Sequence, residues 1–326
     1  MSLSIPASTG IRKCVKKILD ASVEIRMNSE PAEYDKAFLA RQLVQVTLPH
    51  SNPGNIPAWK RTNGNLSLVI RPGWNHKTEK EIGYPYGTLP RLLLFWITTE
   101  ALRTGSRRIE LGSSLAAFMR ELGLDPSNGS GPRSDARRLK DQMERLFRAT
   151  ISFEYNKEER GGNRKSWLDM QVAPKGEFWW SHTQLEQTTL WESWIELGED
   201  FYNSIVSAPV PLDMRALMAL KSSSLSLDIY AWATYKTFSL GQQQKNEQFI
   251  PWEGFMSQLG AEYTNVMNFK LKAKEAFKKV QVVYPGLQVE GAIGGFIIKK
   301  GKTAITACKS NKKLSTNTNG KKSYQR

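Results

Sequence analysis

The chain has 326 residues, 40% of them hydrophobic, and a formal net charge of +15 from 46 basic against 31 acidic side chains. That length suits two ordinary domains, and 13 Phe, 10 Tyr and 10 Trp supply cores for them, which excludes a wholly disordered chain. Two cysteines, Cys14 and Cys308, give neither a disulfide framework nor metal-ligand spacing, and the basic excess favours a polyanionic partner in a reducing cytoplasm.

The opening MSLSIPASTG has no basic segment leading into an apolar run, so no signal peptide is expected. Residues 11–27 place Val15, Ile18, Leu19 and Val23 at helical spacing, and 31–45 predict a second helix starting near Pro31. LPHSNPGNIPAWKRTNG is rich in turn formers, and NLSLVIR (65–71) predicts a short strand. Residues 85–106 predict a strong helix, apolar on nearly every side until Thr98 and closed by Gly105, hence buried. Its apolar run LLLFWI (92–97) is too short to span a bilayer, so no membrane partner is expected. RRIELG then reads as an extended link, and Ser113 or Ser114 caps LAAFMRELGL, which stops near Gly123. After the loop DPSNGSGP, Ser134 or Asp135 opens the helix ARRLKDQMERLFRA. ATISFEY and KSWLDMQVAPKGEFWW form a hairpin around KEERGGNR. In the second half, 223–240 is a helix with Leu225, Ile229, Trp232 and Ala233 on one face. EQFIPWEGFMSQLG follows, then the helix VMNFKLKAKEAFKKV, then strands in VQVVYP and GGFIIKKGKTAITA.

The hexamer FMRELG at 118–123 returns as FMSQLG at 255–260, 137 positions later. Around each, the order is the same: long helix, short extended link, hexamer helix, basic helix, hairpin. In the basic helices Leu139, Met143, Leu146 and Phe147 are matched by Phe269, Ala273, Ala276 and Phe277, 130 positions on. The seven-residue difference fits the absence of a DPSNGSGP-like loop in the second copy. The expected fold is therefore α+β, with two tandem winged-helix domains (helix-turn-helix plus β-hairpin wing) related by internal duplication. The expected divisions are an N-terminal extension at 1–50, a first winged helix at 51–200, a second at 201–309, and a basic disordered tail at 310–326.

In such a unit the hexamer helix braces and the basic helix meets DNA. The first basic helix region offers Arg133, Arg137, Arg138, Lys140, Arg145 and Arg148, diluted by Asp135, Asp141 and Glu144. The second offers Asn268, Lys270, Lys272, Lys274, Lys278 and Lys279 against Glu275 alone, with Asn265 and Asn268 able to read adenine. Lys299, Lys300 and Lys302 are expected at the tip of the second wing, against phosphate or minor groove. The competing reading of all these cations is a solvated helix face. Trp179, Trp180, Trp191 and Trp194 predict a hydrophobic seam rather than a stacking platform.

YPYGTLPRLLLFWITTEALRTGSRRIELGSSLAAFMRELGL, followed by ARRLKDQMERLFRATISF, resembles the RepA family of bacterial plasmid replication initiators. The resemblance runs from about Gln45 to Ala307 and is strongest over 84–155. It implies tandem winged helices that bind repeated sequences, iterons, in double-stranded origin DNA. By that resemblance the C-terminal unit reads the major groove, and the N-terminal unit contacts adjacent backbone and dimerises. It implies a homodimer in equilibrium with a monomer, the monomer initiating and the dimer restraining replication or repressing the initiator gene. Host replication proteins such as an initiator or helicase are the implied partners. A repressor or partition adaptor of the same fold is the alternative, marked by an inverted rather than direct repeats beside the gene.

Nothing points to an enzyme or a cofactor. His50, His76 and His182 are far apart and form no HExxH or His–Cys cluster, and GGFIIKKGKT lacks phosphate-loop spacing.

Overall fold

The computed structural model describes residues 13–127, 131, 134–159, 162–178, 193–260 and 263–305. The Trp-rich stretch 179–192, Arg133, His182, Cys308 and the basic tail lie outside the described residues.

Helix α1 (Lys13–Met27) turns Ile18, Ser22 and Ile25 inward against two later helices. The single helix expected over 31–45 is instead a 3-10 turn (Glu33–Asp35), strand β1 (Lys36–Ala40) and helix α2 (Arg41–Gln45). A partner far along the chain decides this. β1 pairs antiparallel with β11 (Pro209–Asp213), Lys36 opposite Asp213 and Ala40 opposite Pro209. Local periodicity cannot report a strand partner that distant.

Strands β2 (Trp59–Asn63), β3 (Leu66–Arg71), β4 (Gly73–Asn75) and β5 (Lys80–Gly83) come next. Helix α3 (Thr88–Thr104) follows, buried along most of its length and closed by Gly105 in the left-handed region at φ 63°. β6 (Arg108–Glu110) leads to α4 (Leu115–Glu121), capped by Ser114 accepting from the Ala117 N–H. α5 (Asp135–Phe147) is capped by Ser134 accepting from the Arg137 N–H. The expected hairpin is β7 (Thr150–Glu159) and β8 (Gly162–Gln171), but it extends the four-stranded sheet β2-β3-β7-β8. Two further strands, β9 (Lys175–Glu177) and β10 (Trp194–Glu196), join β6 in the order β6-β10-β9.

The second half runs α6 (Glu199–Ser207), β11, α7 (Met214–Leu220), α8 (Ser224–Gln242), β12 (Glu247–Pro251), α9 (Trp252–Leu259) and α10 (Val266–Val283), then β13 (Val289–Ala292) and β14 (Gly295–Lys299). The segment VQVV, expected as strand, completes α10 because Val280 and Val283 continue its buried stripe. The sheet order is β12-β14-β13. In both three-stranded sheets the last strand lies between the first and the middle one. The β7–β8 hairpin belongs to neither of these sheets.

The architecture is α+β with several small sheets, and one apolar cluster runs through both halves. Both hexamers sit in it: Phe118, Met119, Leu122, Phe255 and Leu259 are buried. Each phenylalanine meets a tryptophan of the preceding long helix edge-on, Trp96 to Phe118 at 4.9 Å and Trp232 to Phe255 at 4.8 Å between ring centroids. Gly260, ending the second hexamer, leaves room for the Phe269 ring, whose nearest carbon would lie 2.7 Å from an added Cβ.

Candidate nucleic-acid interface

Helix α10 is anchored by Phe269, Ala273, Ala276, Phe277, Val280 and Val283, all buried. Phe255 stacks on Phe277 at 5.7 Å and α1 braces the far end, where the Ser22 hydroxyl donates to the Val282 carbonyl at 2.7 Å. The opposite side of the helix is left to solvent. One outward stripe is Met267, Leu271, Lys274 and Lys278; beside it runs Asn268, Lys272, Glu275 and Lys279, all exposed. Lys270 is half-buried between these stripes and the core. The Lys272 ammonium lies 3.1 Å from the Glu275 carboxylate, a surface pair that leaves most of the face's positive charge uncompensated. Asn265 is the N-cap: its Oδ1 accepts from the Met267 N–H at 2.7 Å, so its oxygen is engaged at the helix start.

The equivalent face of α5 is partly closed. Arg137 and Arg138 are exposed near its start, with Arg138 3.4 Å from Asp135. Lys140 is half-buried. Arg145 is held by Asp141 at 2.9 Å, donates to the Tyr84 carbonyl at 3.4 Å and lies over the Tyr86 ring at 5.5 Å. Arg148 donates to the Trp74 carbonyl at 2.8 Å. Gly73 and Gly83 allow this approach, since a Cβ at either would strike Arg148 or Arg145. The β4–β5 hairpin thus engages the last turn of α5, and Arg145 and Arg148 serve the fold there.

The second wing also departs from expectation. Its turn falls at Ile293–Gly294, with Ile293 fully exposed, so Lys299 closes the strand at the other end and pairs with Glu290 at 2.5 Å. Lys300 and Lys302 are exposed beyond β14, at the base of the wing rather than its tip. Trp194, the one described member of the Trp cluster, lies in β10 under the Arg108 guanidinium at 4.0 Å.

Sequence reading missed the group that joins the halves. Arg91 of α3 makes a bidentate pair with Asp228 of α8, at 2.7 and 2.8 Å, and donates to the carbonyls of Leu48, Pro49 and Gly87. His50 Nε2 lies 2.8 Å from Asp228 Oδ2, the oxygen that also accepts from Arg91 Nη2. Burial alone would raise the Asp228 pKa, but the Arg91 charge and the His50 hydrogen bond override it and hold the carboxyl well below its usual range. Burial lowers the His50 pKa, an effect its bond to Asp228 only partly offsets. Arg91 and Asp228 are 137 positions apart, the separation of the two hexamers. That coincidence of spacing was the signal available in the sequence.

Among the described residues no group of three or more His, Cys, Asp or Glu is placed to hold a metal, and no helix is long and apolar enough to cross a membrane. No curated protein sequence matches the chain. Among solved structures, the selenomethionine derivative of domains 2 and 3 of RctB is similar over 79% of this chain and 95% of its own, with TM-score 0.48 and 10% identity. A second structure of RctB domains 2–3 is similar over 78% of this chain and 95% of its own, with TM-score 0.46 and 10% identity. A family model described as plasmid encoded RepA protein matches residues 84–254, just over half of the chain, from the approach to α3 into α9, and the chain accordingly belongs to the RepA family of plasmid replication initiators.

Proposed function

We propose that this initiator binds repeated sequences in double-stranded origin DNA through two tandem winged-helix units. The first runs from α3 to β10 with the β7–β8 hairpin inserted, and the second runs from α8 to β14. In this reading α10 enters the major groove and the first unit, with Arg137, Arg138 and Lys140, lies on neighbouring backbone. The observation that carries it is the outward face of α10: Lys272, Lys274, Lys278, Lys279 and Asn268 exposed on one helix, with Glu275 the single acid, above a fully anchored core face. Such a face attracts phosphate and can present Asn268 to a base edge. The wing then brings Lys300 and Lys302 toward the backbone from its base. Host replication proteins and a homodimer in equilibrium with a monomer complete the family expectation. The role needs no catalysis and no cofactor.

A footprint on the DNA beside the gene, run at two salt concentrations, tests the proposal. Protection of direct repeats of roughly 17–22 base pairs, weakening with salt, is the expected result, because two modules span about two helical turns. Binding with no salt dependence, or no protection, would refute it.

A further inference from the structure

We infer that Met267 and Leu271 give the protein its base preference by packing against thymine methyl groups, an inference that rests on α10 being the helix that enters the major groove. Met267 is 63% exposed and Leu271 58%, one turn apart in the first half of α10. They point away from the buried stripe of the helix, so the fold gains little from their apolar character. The first copy supplies a control. At the same positions relative to the buried stripe, 130 residues earlier, α5 carries Arg137 and Asp141, both exposed. A helix of this kind therefore folds with polar groups there, and the apolar pair in α10 answers to something outside the fold.

The surroundings identify the partner. Lys274 and Lys278 continue the same stripe, and Asn268 and Lys272 flank it. An apolar protein surface would leave these cations desolvated without anions, whereas duplex DNA offers phosphates to them. Within the major groove the apolar group is the C5 methyl of thymine, and it contacts aliphatic side chains directly. A helix that sets Met and Leu one turn apart spans neighbouring base pairs, so it suits a site with thymines close together in the groove. Met adapts its contact through its flexible thioether chain, while Leu fixes one position.

Deoxyuridine lacks only the methyl and keeps every hydrogen-bonding group. The test uses the full-length chain and a duplex carrying the direct repeats beside its gene, made once with thymine and once with uracil in both strands. Each methyl group removed from the interface should weaken binding about fourfold, so the thymine duplex should bind roughly ten- to twentyfold more tightly. The M267A/L271A variant should bind the two duplexes equally and carry an unchanged circular dichroism spectrum, since both side chains are exposed. K274A should weaken both duplexes alike and keep the thymine preference. Equal binding of thymine and uracil duplexes by the unmodified chain overturns the inference, as does a thymine preference that survives in M267A/L271A. Failure to bind either duplex in a salt-dependent way overturns the DNA-binding proposal beneath it.

Discussion

Replacing Asp228 with Asn removes a charge from the seam between α3 and α8 at almost unchanged volume. The Arg91 and Asp228 side chains are only 4% and 6% exposed, so the change leaves Arg91 a buried cation without its anion. Breaking such a pair from one side costs roughly 3–5 kcal/mol. Arg91 keeps the carbonyls of Leu48, Pro49 and Gly87 as acceptors, and the new amide oxygen still accepts one bond. Those compensations place Asp228→Asn near the low end, about 3 kcal/mol, a large share of the 5–15 kcal/mol that holds a typical domain folded. Urea unfolding followed by tryptophan fluorescence reads the loss directly. A double-mutant cycle with Arg91→Met and Asp228→Leu should return a coupling above about 2 kcal/mol, because each single change strands a buried charge and the double change strands none. A loss below about 0.5 kcal/mol for Asp228→Asn, typical of an ordinary surface substitution, would refute the view that this pair holds the two halves together.

Three further outcomes are expected. Both His50 and Asp228 have folded-state pKa values below their ordinary ones, so each binds its proton less readily folded than unfolded. The stability they contribute is complete above the unfolded values, near 6.5 for His and 3.9 for Asp, and is lost as pH falls. The urea midpoint should therefore decline below about pH 6.5 and more steeply below about pH 4, and His50→Gln should flatten the upper part of that decline. Changing Lys270, Lys272 and Lys274 together to Ala should lower the slope of log affinity against log salt by up to about 0.9 for each phosphate no longer neutralised, and filter binding across a salt series measures it. Gly260→Ala should destabilise by roughly 1–3 kcal/mol through collision with the Phe269 ring, whereas Gly241→Ala, in α8 with nothing within 4 Å, should be neutral or mildly stabilising in the same thermal melt.

The local signals in the sequence found most helices at close to their true bounds. Caps and termini act within a few residues of themselves: Gly105 ends its helix where the pattern puts it, and of the paired cap candidates Ser113/Ser114 and Ser134/Asp135 the chain uses Ser114 and Ser134. The buried periodicity of Leu139, Met143, Leu146 and Phe147, and of its later counterpart, also holds. What failed was partnership. β7 lies beside β3, Leu66 opposite Tyr155, and β1 beside β11, pairings that no alternation of apolar residues encodes. The β7–β8 hairpin is where the alternation puts it, but the sheet it joins was chosen by distant strands. At the interface the residue types were legible and their availability was not. Arg145 and Arg148 read like Lys274 and Lys278 in a helical projection, yet a hairpin 60 to 75 residues upstream occupies the former pair and leaves the latter open.

The proposed duplication gives these differences one physical account. Two identical subunits meeting about a twofold axis present the same residue to itself, so a central Arg would face Arg and a central Asp would face Asp. Two copies joined in one chain escape that restriction. Position 91 can hold the cation and position 228 the anion, and like-charge repulsion becomes a buried bidentate pair. The same freedom separates the basic helices. In the first copy a hairpin covers the end of α5 and its outward positions carry a mixture of Arg, Asp and Glu. In the second copy the core stripe is kept, the acids shrink to Glu275, and Met267 and Leu271 replace Arg137 and Asp141. A helix that only rests on backbone gains nothing from apolar groups on its outer face, because phosphates do not reward them. Placing them on α10 alone, beside its lysines, is what division of labour between a positioning copy and a base-reading copy requires.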